Sequence, residues 1–234
     1  MSLPYFLAPD PTAGRLDGPE GRHAVTVTRI QPGERIVLID GHGTAATVEV
    51  TSVSGKDTLV GDVLSVDRAE PPTPRVTVIQ AIPKGERAEM AVDLAVQGGA
   101  DAIVPWISHR TVSRWPAAKQ AKQVEKWRSA ALAAAKQSRR AWVPEVAEPV
   151  TTNQLAGVCE GKQVLVLHES ATTSLRDISF ESEVALVVGP EGGIGEDELA
   201  LIGGTAVTLG PEVLRTATAA LSALSAIGVL TARW

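Results

Sequence analysis

The chain has 234 residues, of which 44% are hydrophobic and 21% charged, a balance that excludes disordered and collagen-like classes. Its length suits one large domain or a small domain joined to a larger one, since single domains cluster at roughly 100–150 residues. The formal net charge of −5 argues against a protein that binds nucleic acid over its whole surface.

No uncharged apolar run approaches the ~20 residues of a membrane-spanning helix. Residues 1–15 have neither the basic segment nor the long apolar stretch of a signal peptide. A cytoplasmic protein with no membrane partner is expected. The one cysteine, Cys159, can form no internal disulfide and has no cysteine partner for a zinc cluster, so it reads as a small core residue.

Up to about Asp67, short β-rich runs alternate with turn residues: 35–39, then Asp40-Gly41-His42-Gly43, then 47–51, 58–60 and 62–66. Asp-Gly between two strand-like runs predicts a hairpin, and the whole predicts a small barrel or sandwich. Gly41-x-Gly43-x-x-Ala46 imitates a dinucleotide fingerprint, but it leads into a β-branched run where that motif requires a helix. Pro71-Pro72-Thr73-Pro74 marks a stiff linker, which divides the chain into domains at 1–70 and 75–234.

Beyond the linker, continuous apolar runs at 76–82, 102–107, 164–167, 184–188 and 206–209 alternate with helix-like stretches at 86–98, 117–139, 195–203 and 213–230. Buried strands alternating with helices predict an α/β domain built on a parallel sheet covered on both faces.

The charge is unevenly spread. Residues 110–140 hold nine basic side chains and one acid, a net +8, whereas the segments before and after carry −5 and −8. Such a segment reads either as a site for a specific polyanion, guarded by the surrounding negative charge, or as a solvated helix face. In the 117–139 helix, Lys119, Lys122, Lys126, Lys136 and Arg140 fall near one stripe, and Ala121, Val124, Trp127 or Arg128, Ala131 and Ala135 near another. Trp106, Trp115, Trp127 and Trp142 lie in or beside this segment as possible base-stacking platforms or core anchors. The last helix has no charge between Thr216 and Leu230, so both of its sides should be covered. One should meet the sheet; the other, with Thr218, Ser222 and Ser225, should meet a second subunit.

The most informative stretch is 184–198, where a buried strand enters Gly189-Pro190-Glu191-Gly192-Gly193-Ile194-Gly195 and an acidic helix start follows. Glycines at the carboxyl end of a parallel strand let backbone approach a small ligand. The loop lacks the Lys-Ser/Thr of a P-loop, and Glu191 disfavours phosphate. Glu191-x-Gly193-x-Gly195 also imitates the donor motif of Rossmann-like methyltransferases. That motif follows the first strand of its sheet, however, and here most of the sheet precedes it.

Gly189-Pro190-Glu191-Gly192-Gly193, followed by Leu209-Gly210-Pro211-Glu212-Val213-Leu214-Arg215-Thr216 and Ala217-Thr218-Ala219, resembles the signature pair of the RsmE family, ribosomal RNA methyltransferases of the SPOUT (trefoil-knot) superfamily. Pro83-Lys84-Gly85-Glu86-Arg87 resembles the family's lysine-glycine segment, and Gln137-Ser138-Arg139-Arg140 with Val143-Pro144 its glutamine-serine-arginine motif. Two departures are visible. His109 stands where the family usually has a glutamate or similar residue, so Arg110 carries over and His109 does not. The segment 3–7 also lacks an arginine often found there.

The resemblance implies a PUA-like β-barrel RNA-binding domain followed by a SPOUT α/β domain with a knot. It implies methyl transfer from S-adenosylmethionine to N3 of a uridine in 16S ribosomal RNA, with that RNA or the small ribosomal subunit as partner, and a homodimer. No motif calls for a metal. By position, the donor pocket comprises Leu167 and His168, then Gly189, Pro190, Glu191, Gly192, Gly193 and Ile194, and finally Leu209, Gly210, Leu214, Arg215 and Thr216. Uridine N3 carries a weakly acidic proton. Arg215 is the candidate for stabilising the resulting charge; Glu191 is either the base or a residue that orients the donor or caps the helix after it. Lys84, Arg110, Arg139 and Arg140 are the candidate RNA contacts. The alternatives are a SPOUT enzyme with another RNA target, and a non-catalytic RNA-binding assembly factor, which would not need the pocket glycines.

Overall fold

The structure, a computed structural model, describes residues 3–85 and 87–234; Glu86 of the lysine-glycine segment lies outside them. The chain divides into two compact units, 1–71 with 135–143, and 72–134 with 144–234.

The first unit holds β1 (Tyr5–Leu7), β2 (Arg15–Leu16), the short helix α1 (Gly18–Arg22) running into a π-helical segment (His23–Thr28), β3 (Arg35–Ile39), β4 (Thr44–Ser54) and β5 (Thr58–Arg68). The strands form one sheet in the order β1-β3-β4-β5-β2. Only β1 and β3 pair in parallel, so the sheet is mixed. Asp40 makes the hairpin between β3 and β4, its Oδ1 accepting the backbone N–H of His42 and of Thr44. The two expected runs at 58–60 and 62–66 are one strand. The core gathers Phe6, Leu16, Ile36, Leu38, Val48 and Leu59. Glu20 ties this unit together: Oε2 accepts the N–H of Leu7, and Oε1 takes a 2.6 Å ion pair from Lys136.

The second unit contains β6 (Arg75–Ala81), α2 (Arg87–Gly98), β7 (Ala102–Ile107), α3 (Ala117–Gln137, whose last turn belongs to the first unit), β8 (Glu145–Val146), β9 (Val150–Thr151), α4 (Leu155–Cys159), β10 (Gln163–Leu167), β11 (Thr173–Ser174), β12 (Glu183–Val188), α5 (Glu196–Ile202), β13 (Thr205–Thr208) and α6 (Thr216–Leu230). All its strand pairs are parallel, in the order β11-β13-β10-β12-β6-β7-β8, with β9 also on β7. Alternate side chains of each strand serve opposite faces. Ile79, Ala81, Ala185 and Val187 pack with Leu155 and Cys159 of α4 and Ile202 of α5. The other face carries α6, which also packs on α2. Burial pushes the Cys159 thiol above its usual range, with Lys162 partly opposing, as suits an inert core cysteine.

Helix α3 departs from the expected pattern at two positions. Its buried stripe is Val124, Trp127, Ala131, Ala134 and Ala135, while Ala121 is exposed. Arg140 lies beyond the helix end. There Arg139 adopts φ 58°, its N–H donates to the Lys136 carbonyl, and the Arg140 N–H donates to that of Ala135. This Schellman-type stop normally uses glycine at the position of Arg139. Trp106 and Trp127 are core residues at 0% and 1% exposure, and Trp115 packs edge-on against Trp127.

Candidate active site

In the sheet order, β13, β10 and β12 are neighbours, so the loops leaving their carboxyl ends converge. Between them lies a cavity of about 540 Å³, within the range of small-molecule sites and where open α/β sheets bind ligands. Leu167 and His168 come from the end of β10, and Gly189, Pro190, Glu191, Gly192, Gly193 and Ile194 from the loop after β12. Leu209, Gly210, Leu214, Arg215 and Thr216 come from the loop between β13 and α6. The cavity thus collects all thirteen residues singled out by position, although they lie in three separate stretches of chain.

The glycine loop has specific steric reasons for its composition. Gly193 has φ +71° and closes a turn by donating its N–H to the Pro190 carbonyl at 2.9 Å. A Cβ on Gly189 would stand 2.7 Å from Cγ1 of Ile194, which would push Ile194 out of the core. His168 braces the loop. Its Nδ1 lies 2.9 Å from the Ser170 hydroxyl and accepts the Ser170 N–H, which leaves the proton on Nε2, 3.4 Å from the Ile194 carbonyl.

Glu191 Oε1 accepts the backbone N–H of Lys84 at 3.2 Å, so this side chain links the glycine loop to the loop after β6. Arg215 occupies the N-cap of α6 with extended backbone, and its carbonyl accepts from Thr218 and Ala219.

Three charged residues of the cavity escaped the sequence reading, and a fourth was assigned a different role there. Arg87, Glu169 and Glu212 line it, as does Arg110, whose Nη1 donates to the Gly192 carbonyl at 3.2 Å. The wall therefore balances Arg87, Arg110 and Arg215 against Glu169, Glu191 and Glu212. Arg87 and Glu212 lie inside quoted motifs; only tertiary adjacency reveals Arg110.

The basic segment is partly neutralised where it stands. Lys136 pairs with Glu20, Arg128 with Glu148 and Glu125, and Lys126 approaches Glu89 at 3.7 Å. Of the candidate RNA contacts, Lys84 and Arg110 belong to the second unit and Arg139 and Arg140 to the first; Lys84, Arg110 and Arg139 are exposed.

Residues 69–228 match the model of an RNA methyltransferase domain, and residues 16–64 that of an RNA methyltransferase PUA domain. The parallel-sheet unit with its strand-end cavity is accordingly of the RNA methyltransferase class. The ribosomal RNA small subunit methyltransferase E of Mycobacterium tuberculosis is 48% identical over 247 residues, 100% of this chain and 94% of its own. That of Bacillus subtilis is 32% identical, covering 92% and 90%. The crystal structure of the Neisseria gonorrhoeae ribosomal RNA small subunit methyltransferase E bound to S-adenosyl methionine superposes with a TM-score of 0.87 at 31% identity, over 98% of both chains. The chain belongs to the ribosomal RNA small subunit methyltransferase E family. No described helix is long and apolar enough to cross a membrane.

Proposed function

We propose that this protein transfers a methyl group from S-adenosylmethionine to N3 of one uridine in the 16S RNA of the small ribosomal subunit, in the cytoplasm. The cavity at the ends of β10, β12 and β13 is the observation that carries this reading. Its size, its glycine floor and its mixed charge suit a donor that bears a sulfonium, an ammonium and a carboxylate. The N-terminus of α6 at the cavity suits the carboxylate, and Glu169, Glu191 or Glu212 the ammonium. The donor supplies an activated methyl on sulfur. Arg215 stabilises charge on the uridine carbonyl oxygens as the N3 proton leaves, and Glu191, with Oε1 engaged by Lys84, receives that proton through its other oxygen. The implied knot belongs to the same reading, supported by the adjacency of β13, β10 and β12. Mass-spectrometric mapping of ribosomal RNA from cells with and without the gene tests it. Loss of one 3-methyluridine is expected; an unchanged map overturns the assignment.

Lys84, Arg110, Arg139 and Arg140 hold the RNA backbone in this reading. Arg139 allows charge and fold to be separated. Arg139→Gly removes a left-handed strain of roughly 1–2 kcal/mol, so its melting temperature should rise or hold. Its RNA affinity should fall, and its salt dependence should flatten by about 0.7 per lost single-strand contact. Filter binding across a salt series checks this, and an unchanged slope removes Arg139 from the interface.

A homodimer through α6 is part of the same proposal. The hydroxyls of Thr218, Ser222, Ser225 and Thr231 all donate back to carbonyls of their own helix region, which leaves that face without outward donors. Val229 is 73% exposed and Val213 77%. Ser222→Glu would bury an unpaired charge in such an interface, so it should shift sedimentation from dimer to monomer and lower methylation. A wild type that sediments as a monomer counts against the dimer.

A further inference from the structure

Helix α5 begins with three acids, Glu196, Asp197 and Glu198. The first two face solvent, whereas Glu198 is 0% exposed. An acid at this point of a helix gains from the dipole while remaining in water; burying it forgoes its hydration, and nothing in the donor chemistry described above uses it.

The partners of Glu198 indicate what the burial achieves. Oε1 accepts the Thr152 hydroxyl at 2.7 Å and the backbone N–H of His109 at 2.8 Å. Thr152 in turn accepts Nε1–H of the core residue Trp106 at 3.2 Å. His109 opens the turn that carries Arg110. That turn is closed by the Thr111 N–H donating to the Ser108 carbonyl and the Ser108 N–H to the Thr111 hydroxyl. Arg110 then lies against the glycine loop: its Nη1 donates to the Gly192 carbonyl, and a Cβ on Gly192 would stand 3.2 Å from the Cβ of Arg110. One buried carboxyl therefore fastens the start of α5, the segment after β9 and the turn after β7, and Arg110 is the side chain that this turn delivers to the cavity.

We infer that Glu198 is a positioning residue for methyl transfer, holding the 108–111 turn so that Arg110 clamps the donor loop. This inference rests on the donor site proposed above. Oε2 of Glu198 has no hydrogen-bond partner among the described residues, so one oxygen does the holding and a glutamine, whose amide oxygen can replace Oε1, should largely suffice.

The test is a double-mutant cycle on S-adenosylmethionine affinity, measured by calorimetry on the full chain. Glu198→Ala should weaken donor binding about tenfold when Arg110 is present and less than about twofold in the Arg110→Ala background. Glu198→Gln should stay within about threefold of wild type. Glu198→Leu, which fills the space without an acceptor, makes the same comparison if the alanine variant does not fold. Equal losses in both backgrounds, or a lower melting temperature at unchanged affinity, overturn the inference while the donor site stands. A wild type that does not bind the donor overturns both.

Discussion

Arg233→Ala should lower the stability of the second unit by about 3–5 kcal/mol, the usual cost of stripping one partner from a buried ion pair. The Arg233 and Asp101 side chains are only 6% and 7% exposed and meet at 2.7 Å. Arg233 also donates to the carbonyls of Pro74 and Gly99, while Asp101 accepts the N–H of Val76. One guanidinium thus fastens the chain after α6 to the entry of β6 and to the turn between α2 and β7, and its loss takes the countercharge from a buried carboxylate and a donor from two carbonyls. A fall of roughly 10 °C in melting temperature corresponds to this. Urea titration of wild type, Arg233→Ala and Arg233→Lys checks it, with lysine intermediate because it lacks the planar fork. A loss below about 1 kcal/mol would mean that water reaches the pair.

Gly193→Val should weaken S-adenosylmethionine binding roughly 5- to 150-fold, the equivalent of about 1–3 kcal/mol of backbone strain. The position offers space, since no atom lies within 4 Å of where a Cβ would stand, so the cost comes from φ +71° alone. A β-branched residue leaves that region and takes the turn closed on Pro190 with it. Gly193→Asn, whose side chain tolerates left-handed backbone, should retain most of the affinity. Calorimetry that finds valine and glycine equal would detach the loop from the donor site.

How much of this was legible depends on the physics of each element. The five long strands of the second unit announce themselves because a parallel strand buried on both faces must be apolar throughout; 102–107 is the observed β7, residue for residue, and β6, β10, β12 and β13 agree within about one residue, whereas the two-residue strands β8, β9 and β11 were not read. Strands β1 and β2 have three and two residues, too few to show a period. The run Val25-Thr26-Val27-Thr28 has strand composition yet winds as π-helix, its end closed by the Ile30 N–H on the Ala24 carbonyl around Arg29 at φ 62°. That choice is tertiary, made by the burial of Ala24 and Ile30.

The site divides in the same way. Its glycine loops were readable because their backbone demands are local. The roles of Arg110 and Glu198 were not, since one depends on which turn meets the loop and the other on which of three consecutive acids faces inward.

The sheet order has a consequence for how the molecule is made. In the centre of the second unit Val78 stands opposite Leu186, and beyond that pair Leu165 meets Thr205. Neighbours separated by roughly a hundred residues close slowly, because the entropy of bringing them together is lost before the contact returns anything. During synthesis β6 must wait unpaired on its β12 side until residues 183–188 have been made, and the loop after β13 that forms the third wall of the cavity is translated later still. The cavity is therefore assembled late, after both β12 and the loop that follows β13 have been made.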